Sequence, residues 1–253
     1  MSWRYAAGQA TGSAHEKLAR PCQDRFAVVT NDQRDTLIAV VADGAGTAAL
    51  AHVGAEIAVS TVSSIALLGV HADRRDLLAV LREAAAVARQ RLLEAATDRQ
   101  AAPRDLACTL LAVVVAPLGA AALQIGDGVI VTAGMKPEWN WVFWPQKGEY
   151  ANTTFFLSDE RALGNAAGCE LGDDIQDVAL MSDGCEPLAL HFATRTAHAP
   201  FFRSVFPPLQ ASAAVGEAAD LSAGLNGMLA SPAVRARTDD DTTLVLATRR
   251  PRG

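Results

Sequence analysis

The feature that most narrows the fold is an uncharged run from Leu106 to Gly126, interrupted at its centre by Ala116-Pro117-Leu118-Gly119. Its length would suit a bilayer crossing, but proline and glycine there are turn chemistry. The flanks, with Val113, Val114, Val115 and Ile125, are β-branched, so the run reads as a hairpin of two buried strands, Leu106 to Val115 and Ala120 to Ile125. Val129 to Ala133 follows directly after Gly126-Asp127-Gly128 as another strand, and the alternation of Trp139 to Trp144 suggests a half-buried one. Consecutive strands joined by short turns favour antiparallel sheets.

Upstream, Thr36 to Ala42 is a continuous apolar run that stops abruptly at Asp43-Gly44-Ala45-Gly46, as a buried strand delivering a carboxylate to a tight turn would. The period then changes. Val53 to Leu68 and Arg74 to Arg99 carry apolar residues at helical spacing, which predicts two amphipathic helices. Thr153 to Leu157 and Asp177 to Met181 read as strands, and Glu186 to Leu229 as helical or irregular, broken at Pro207-Pro208. Thr242 to Thr248, preceded by Asp239-Asp240-Asp241, is a closing strand. This order fits an α+β layering with helices covering the faces of sheets. No Pro/Ser/Gly linker divides the 253 residues, so a single domain over 1–253 is expected.

Composition removes several function classes. Hydrophobic residues make up 50% of the chain and charged residues 20%, which excludes disorder. The formal net charge is −6 and the basic residues are scattered, so there is no footprint for nucleic acid or an anionic membrane surface. Cys22, Cys108, Cys169 and Cys185 form no C-x-x-C pair, and no apolar leader segment follows Met1; a reduced cytoplasm is the expectation.

The chemistry lies in aspartates at strand ends. Asp43 and Asp183 follow apolar runs, Asp127 sits in a turn, and Asp24 and Asp239 to Asp241 precede strands. One Asp-Gly is what any β-turn uses. Together, carboxylates converging on one sheet edge repel each other unless cations neutralise them, and clustered oxygen ligands suit hard ions such as Mg²⁺ or Mn²⁺.

Five segments in order resemble the metal-dependent serine/threonine protein phosphatases of the protein phosphatase 2C type: Cys22-Gln23-Asp24-Arg25-Phe26, Val41 to Gly46, Gly126-Asp127-Gly128, Leu180 to Gly184 and Asp239 to Leu244. Gly12-Ser13-Ala14-His15 and Gly148-Glu149-Tyr150-Ala151-Asn152 are similar to a bacterial branch of that family. The resemblance implies a four-layer α-β-β-α sandwich, two antiparallel sheets flanked by helices, with two Mn²⁺ or Mg²⁺ ions and a third, weaker site at one end. It implies that Asp43 bridges both ions and that the Gly44 carbonyl binds one. Asp183 and the last-motif aspartate hold one ion, Asp24 holds or orients waters on the other, and Asp127 shares the third with Asp183. The substrate would be a phosphorylated protein, the target of a bacterial Ser/Thr kinase.

The departures from the family pattern concern substrate. Relatives usually grip the phosphate with an arginine before the first aspartate. Counting from Gly12 puts His15 in that place, and counting back from Asp24 puts Arg20 there. Some relatives carry a histidine after Asp-Gly as a general acid; Ala45 stands there, leaving protonation to water or to His15. Asp239 or Asp240 is the ligand of the last motif, Asp240 being preferred because it lies three residues before Thr243. His52, His71, His191 and His198 show no ligand spacing, Trp139, Trp141 and Trp144 read as strand packing, and Cys22 and Cys185 as small-residue packing. Two rival readings are a catalytically silent binding or regulatory module and a calcium-stabilised β protein.

Overall fold

Leu37–Ala42 is buried along its whole length, a condition met only by a strand covered on both faces. The structure, a computed structural model, describes residues 1–72, 74–136, 138–145 and 154–250. In chain order its first half comprises β1 (Ser2–Ala10), α1 (Ser13–Lys17), β2 (Arg25–Thr30), β3 (Leu37–Ala42), α2 (Ala51–His71), α3 (Leu77–Asp98), β4 (Leu110–Ala116) and β5 (Gly119–Ile125). Next come β6 (Val129–Ala133), β7 (Asn140–Trp141), β8 (Ala167–Leu171), β9 (Asp177–Met181), α4 (Glu186–Ala189), β10 (Leu190–His191) and β11 (Thr196–Ala197). The chain closes with α5 (Ala199–Ala211), β12 (Gly216–Glu217), α6 (Ala219–Leu229), α7 (Pro232–Arg235) and β13 (Thr242–Arg250).

Among the described residues the strands form a five-stranded sheet, β2-β3-β4-β5-β8, and a six-stranded sheet, β12-β1-β13-β9-β6-β7, with β10 and β11 as a separate hairpin. The pairs are antiparallel, as expected, apart from the two-residue β12, which runs parallel to β1 at the edge of its sheet.

Strand alternation builds three apolar layers. Ile38, Val40, Leu110, Ala112, Val114 and Leu123 face Val62, Leu81 and Leu92 of α2 and α3. The opposite faces of the same strands, Leu37, Ala39, Val41, Leu111 and Val113, meet Trp3, Ile130, Val178, Leu180 and Val245 between the sheets. Beyond them, Val131, Ala179, Leu244 and Leu246 meet Phe202, Phe206, Leu225 and Leu229 of α5 and α6. This is the α-β-β-α sandwich. α2 is long and apolar enough to cross a membrane by length and composition; here half of it is buried, against α3 and the sheet. The Leu106 to Gly126 run is the β4–β5 hairpin, with β4 beginning only at Leu110 after a 3₁₀ turn, Pro103–Leu106.

Three expectations need correction. Thr153 lies outside the described residues, and Thr154 to Leu157 forms no strand; Leu157 N instead donates to the Cys108 carbonyl at 2.7 Å. The Trp139 to Trp144 strand shortens to Asn140–Trp141 because Trp139 turns onto α5, stacking on Phe202 with ring centroids 5.1 Å apart. Pro207 and Pro208 do not break α5. They lie on its exposed face with Arg203 and Ser204, whose carbonyls lose their helical partners where water can replace them.

Candidate active site

Strand register gathers the aspartates. Arg25 pairs with Ala42, so Asp24 and Asp43 emerge side by side from β2 and β3. Met181 pairs with both Leu244 and Val129, which brings Asp183, the Asp239 to Asp241 segment and Asp127 to one end of the other sheet. The Asp43 turn is zipped to the approach of β4: Asp43 N donates to Thr109 Oγ1 at 2.9 Å, Thr109 N to the Asp43 carbonyl at 2.7 Å, and Ala45 N to the Ala107 carbonyl at 2.9 Å. Gly44 is required by crowding. A Cβ there would stand 2.8 Å from the Ala51 Cβ and 2.8 Å from the Gln23 carbonyl.

The electrostatics of the edge are those of like charges confined in low dielectric. Asp24 is fully buried, and neither of its carboxylate oxygens completes a hydrogen bond. Its pKa is pushed up to about 7, by desolvation first and then by the Asp241 charge, with the nearby Ser182 and Thr243 hydroxyls offsetting part of the rise. Asp43 and Asp183 retain some exposed surface, but their carboxyls lie deep enough for burial to dominate. Asp43 is raised well above the usual range by desolvation and by the charges of Asp24 and Asp183. Asp183 is raised to about 6 by desolvation and then by Asp127 and Asp240, with contact from Asp43 easing it; its Oδ1 is buried without a partner. Asp240 is exposed at its edge, yet desolvation of its carboxyl by the surrounding protein raises its pKa, and His15 lowers it in part. Among the described residues no three ligand side chains stand at coordination spacing. The orphaned oxygens of Asp24 and Asp183 and an all-oxygen donor set nonetheless fit hard divalent cations.

The remaining expected residues divide by position. Asp127 accepts from Thr154 Oγ1 at 2.6 Å beside Asp183. Asp239 is exposed and uses its carbonyl to hold Ala14 N at 2.9 Å, whereas Asp240 acts electrostatically on Asp43 and Asp183. The Gly44 carbonyl, with that of Ala45, faces the Gln23 amide nitrogen at 3.3 Å in the orientation that satisfies Gln23, and it keeps a second lone pair. His15 and Arg20 both reach the Asp43 to Gly46 turn. Arg20 is exposed and donates from Nη1 to the Gly46 carbonyl at 2.7 Å, while His15 is 6% exposed with Nε2 3.6 Å from where a Gly46 Cβ would lie. The Gly148 to Asn152 segment lies outside the described residues.

Sequence reasoning missed Asp241. Its carboxylate, 2% exposed, accepts from Gly12 N at 2.7 Å and Gln23 N at 2.6 Å, and lies 2.9 Å from His15 Nδ1 at an angle short of a hydrogen bond's. It ties α1, the Asp24 segment and the start of β13 together. Arg235 adds a bidentate grip on Glu16, at 2.7 and 2.6 Å. Three consecutive aspartates carry no signal of which one faces inward. Elsewhere, His191 meets Thr194, Trp141 packs on Trp144, and Cys22 and Cys185 are buried thiols whose pKa burial raises.

This sandwich, with aspartates drawn to one end, is the fold of a phosphatase class, and residues 11–230 match the protein phosphatase 2C family; the chain belongs to it. That span includes Asp24, Asp43, Asp127 and Asp183 and stops short of Asp240. A curated relative, Serine/threonine-protein phosphatase 3 of Escherichia coli (strain K12), is 37% identical over 98% of both chains, which takes in the last motif. Among solved structures, the Mycobacterium tuberculosis serine/threonine phosphatase PstP/Ppp superposes with a TM-score of 0.63 at 18% identity, covering 99% of this chain and 100% of that one. A Caenorhabditis elegans (C.elegans) sex determining protein reaches a TM-score of 0.71 at 15% identity, this chain spanning 66% of its length.

Proposed function

We propose that this protein hydrolyses phosphoserine and phosphothreonine on protein substrates, using Mn²⁺ or Mg²⁺. The observation that carries the reading is Asp24: a fully buried carboxylate with neither oxygen hydrogen-bonded, set among Asp43, Asp183 and Asp241, has no structural use for its charge. Asp43, with its backbone zipped to β4, would be the central ligand of the ions, joined by the Gly44 carbonyl. Asp183 and Asp240 would supply further carboxylate oxygens, Asp24 would hold or orient bound waters, and Asp127 with Asp183 would serve a weaker site. Bound divalent cations would activate an attacking water and offset the charge of the phosphoryl oxygens. Arg20, exposed at the rim with a five-donor guanidinium, suits a substrate phosphate oxygen.

On this reading the chain acts as one domain over residues 1–253, in the cytoplasm, on the targets of a bacterial Ser/Thr kinase. Purified protein assayed on p-nitrophenyl phosphate with EDTA, Ca²⁺, Mg²⁺ or Mn²⁺ tests it. Turnover with Mn²⁺ or Mg²⁺ that EDTA abolishes is expected. No turnover with any ion would leave a silent binding module, and thermal stabilisation by Ca²⁺ alone would leave a calcium-stabilised β protein.

A further inference from the structure

We propose that His15 donates the proton to the departing seryl or threonyl oxygen and that Asp241 is the residue that positions it, an inference that rests on the phosphatase reading above. His15 is 6% exposed and lies on a short turn fixed at several points, by Ala14 N on the Asp239 carbonyl, by Glu16 on Arg235 and by Gly12 N on Asp241. The backbone that carries the imidazole is therefore held in place. Its Nδ1 faces the Asp241 carboxylate at 2.9 Å, which leaves Nε2 as the nitrogen turned toward Gly46 and the Asp43 turn.

A carboxylate 2.9 Å from one imidazole nitrogen draws the proton to that nitrogen and, once the ring turns the small angle that completes the hydrogen bond, supports the imidazolium. One outward N–H is poorly suited to gripping a phosphate; Arg20, on the same turn, has the forked donors for that. The carboxyl groups facing the ring are those of Asp241 and Asp240. In the step, a water oxygen bonds to phosphorus as the phosphorus–seryl oxygen bond breaks. The Nε2 proton passes to the departing oxygen, giving the neutral alcohol. The attacking water releases its proton to solvent, the imidazole regains one from solvent, and inorganic phosphate leaves.

Leaving-group dependence separates this role from a phosphate grip. p-Nitrophenolate departs without a proton, whereas a threonyl oxygen does not. With Mn²⁺, His15→Ala should lower kcat on a phosphothreonine peptide by about 10²- to 10⁴-fold and on p-nitrophenyl phosphate by less than about threefold. Asp241→Asn, which keeps an oxygen for one of the Gly12 and Gln23 amides and removes the carboxylate from His15, should show the same selectivity to a smaller degree. Should His15→Ala fail to fold, His15→Gln carries the comparison.

A second readout needs no turnover: in ¹⁵N-histidine NMR of the EDTA-treated protein, His15 should carry its proton on Nδ1, and Asp241→Asn should shift it toward Nε2. Equal losses on both substrates, or a raised KM with kcat unchanged, would overturn the proposal and make His15 a binding residue. A His15 tautomer indifferent to Asp241→Asn would remove the positioning role. Wild-type protein inactive on both substrates would remove the phosphatase reading, and this proposal with it.

Discussion

Replacing Asp24 with asparagine should stabilise the metal-free protein while ending its activity. Asp24 is 0% exposed, neither of its oxygens is hydrogen-bonded, and its pKa rises from 3.8 to about 7. A carboxyl whose pKa is raised on folding binds more protons in the folded state. Stability is therefore greatest below the unfolded value and is lost as pH rises through the folded one. At about 1.36 kcal/mol per pH, the ionised group costs on the order of 4 kcal/mol at pH 8. Asparagine removes the charge and keeps the shape, but its buried amide gives back about 1–3 kcal/mol. The net gain at pH 8 is then about 1–3 kcal/mol, or roughly 2–10 °C in Tm for a chain of this size. At pH 5 the wild-type carboxyl is already protonated and the gain should vanish. Circular dichroism melts of both proteins in EDTA at the two pH values measure this. An Asn variant that melts at or below wild type at pH 8 would show that Asp24 holds the turn together, and the charge argument would fall.

Asp43→Ala and Asp183→Ala should each abolish turnover on p-nitrophenyl phosphate with Mn²⁺ while leaving the EDTA melt at or above that of wild type, since each removes one charge from a crowded edge. Near-normal turnover in either variant would sink the ligand assignment. Asp241→Ala should behave in the opposite way in the melt, losing about 2–5 kcal/mol because the Gly12 and Gln23 amides are left buried without partners, which a denaturant titration reads directly. Gly44→Ala should cost about 1–3 kcal/mol by forcing Ala51 or the Gln23 carbonyl away and should lower kcat, because the shift passes to Asp43; unchanged kinetics would show that the turn tolerates the move.

The parts of the fold that are legible in the sequence are those where burial alone decides. Val129–Ala133 and Asp177–Met181 form strands at the bounds their apolar runs suggest, and the Pro117-Leu118 interruption makes the hairpin it predicts. β1 is not legible. Ser2–Ala10 has strand-favouring Trp3 and Tyr5 only at its start and continues in alanine, glycine and Gln9, and it becomes a strand because β13 pairs with it along its whole length. β8, Ala167–Leu171, is likewise made by β5 rather than by its own residues. Pro207 and Pro208 mislead because what matters is which face of the helix loses its donors. In the site, the gathering of Asp24, Asp43, Asp127, Asp183 and Asp240 is legible because each ends or precedes a strand. The separation of Asp240 from Asp241 is not, since it depends on three groups far apart in the chain, Gly12, His15 and Gln23, meeting one carboxylate.

The two kinds of aspartate at this edge explain how it holds together. An ionised Asp24 costs about as much as the lower range of a whole domain's net stability, roughly 5 kcal/mol, so an edge of several such groups could not persist on packing at its own rim. The three apolar layers lie behind it, and Asp241 works at the rim itself, turning one negative charge into the acceptor that fastens α1, the Asp24 segment and β13. Asp24, Asp43 and Asp183 are thereby kept close while their charges oppose it. Neutralising Asp241 alone would slacken that hold, whereas neutralising any of the three would relieve it. Carboxylates that destabilise the fold beside one that secures it are what an edge requires if it must offer unpaired oxygens to a ligand and still present them in one geometry.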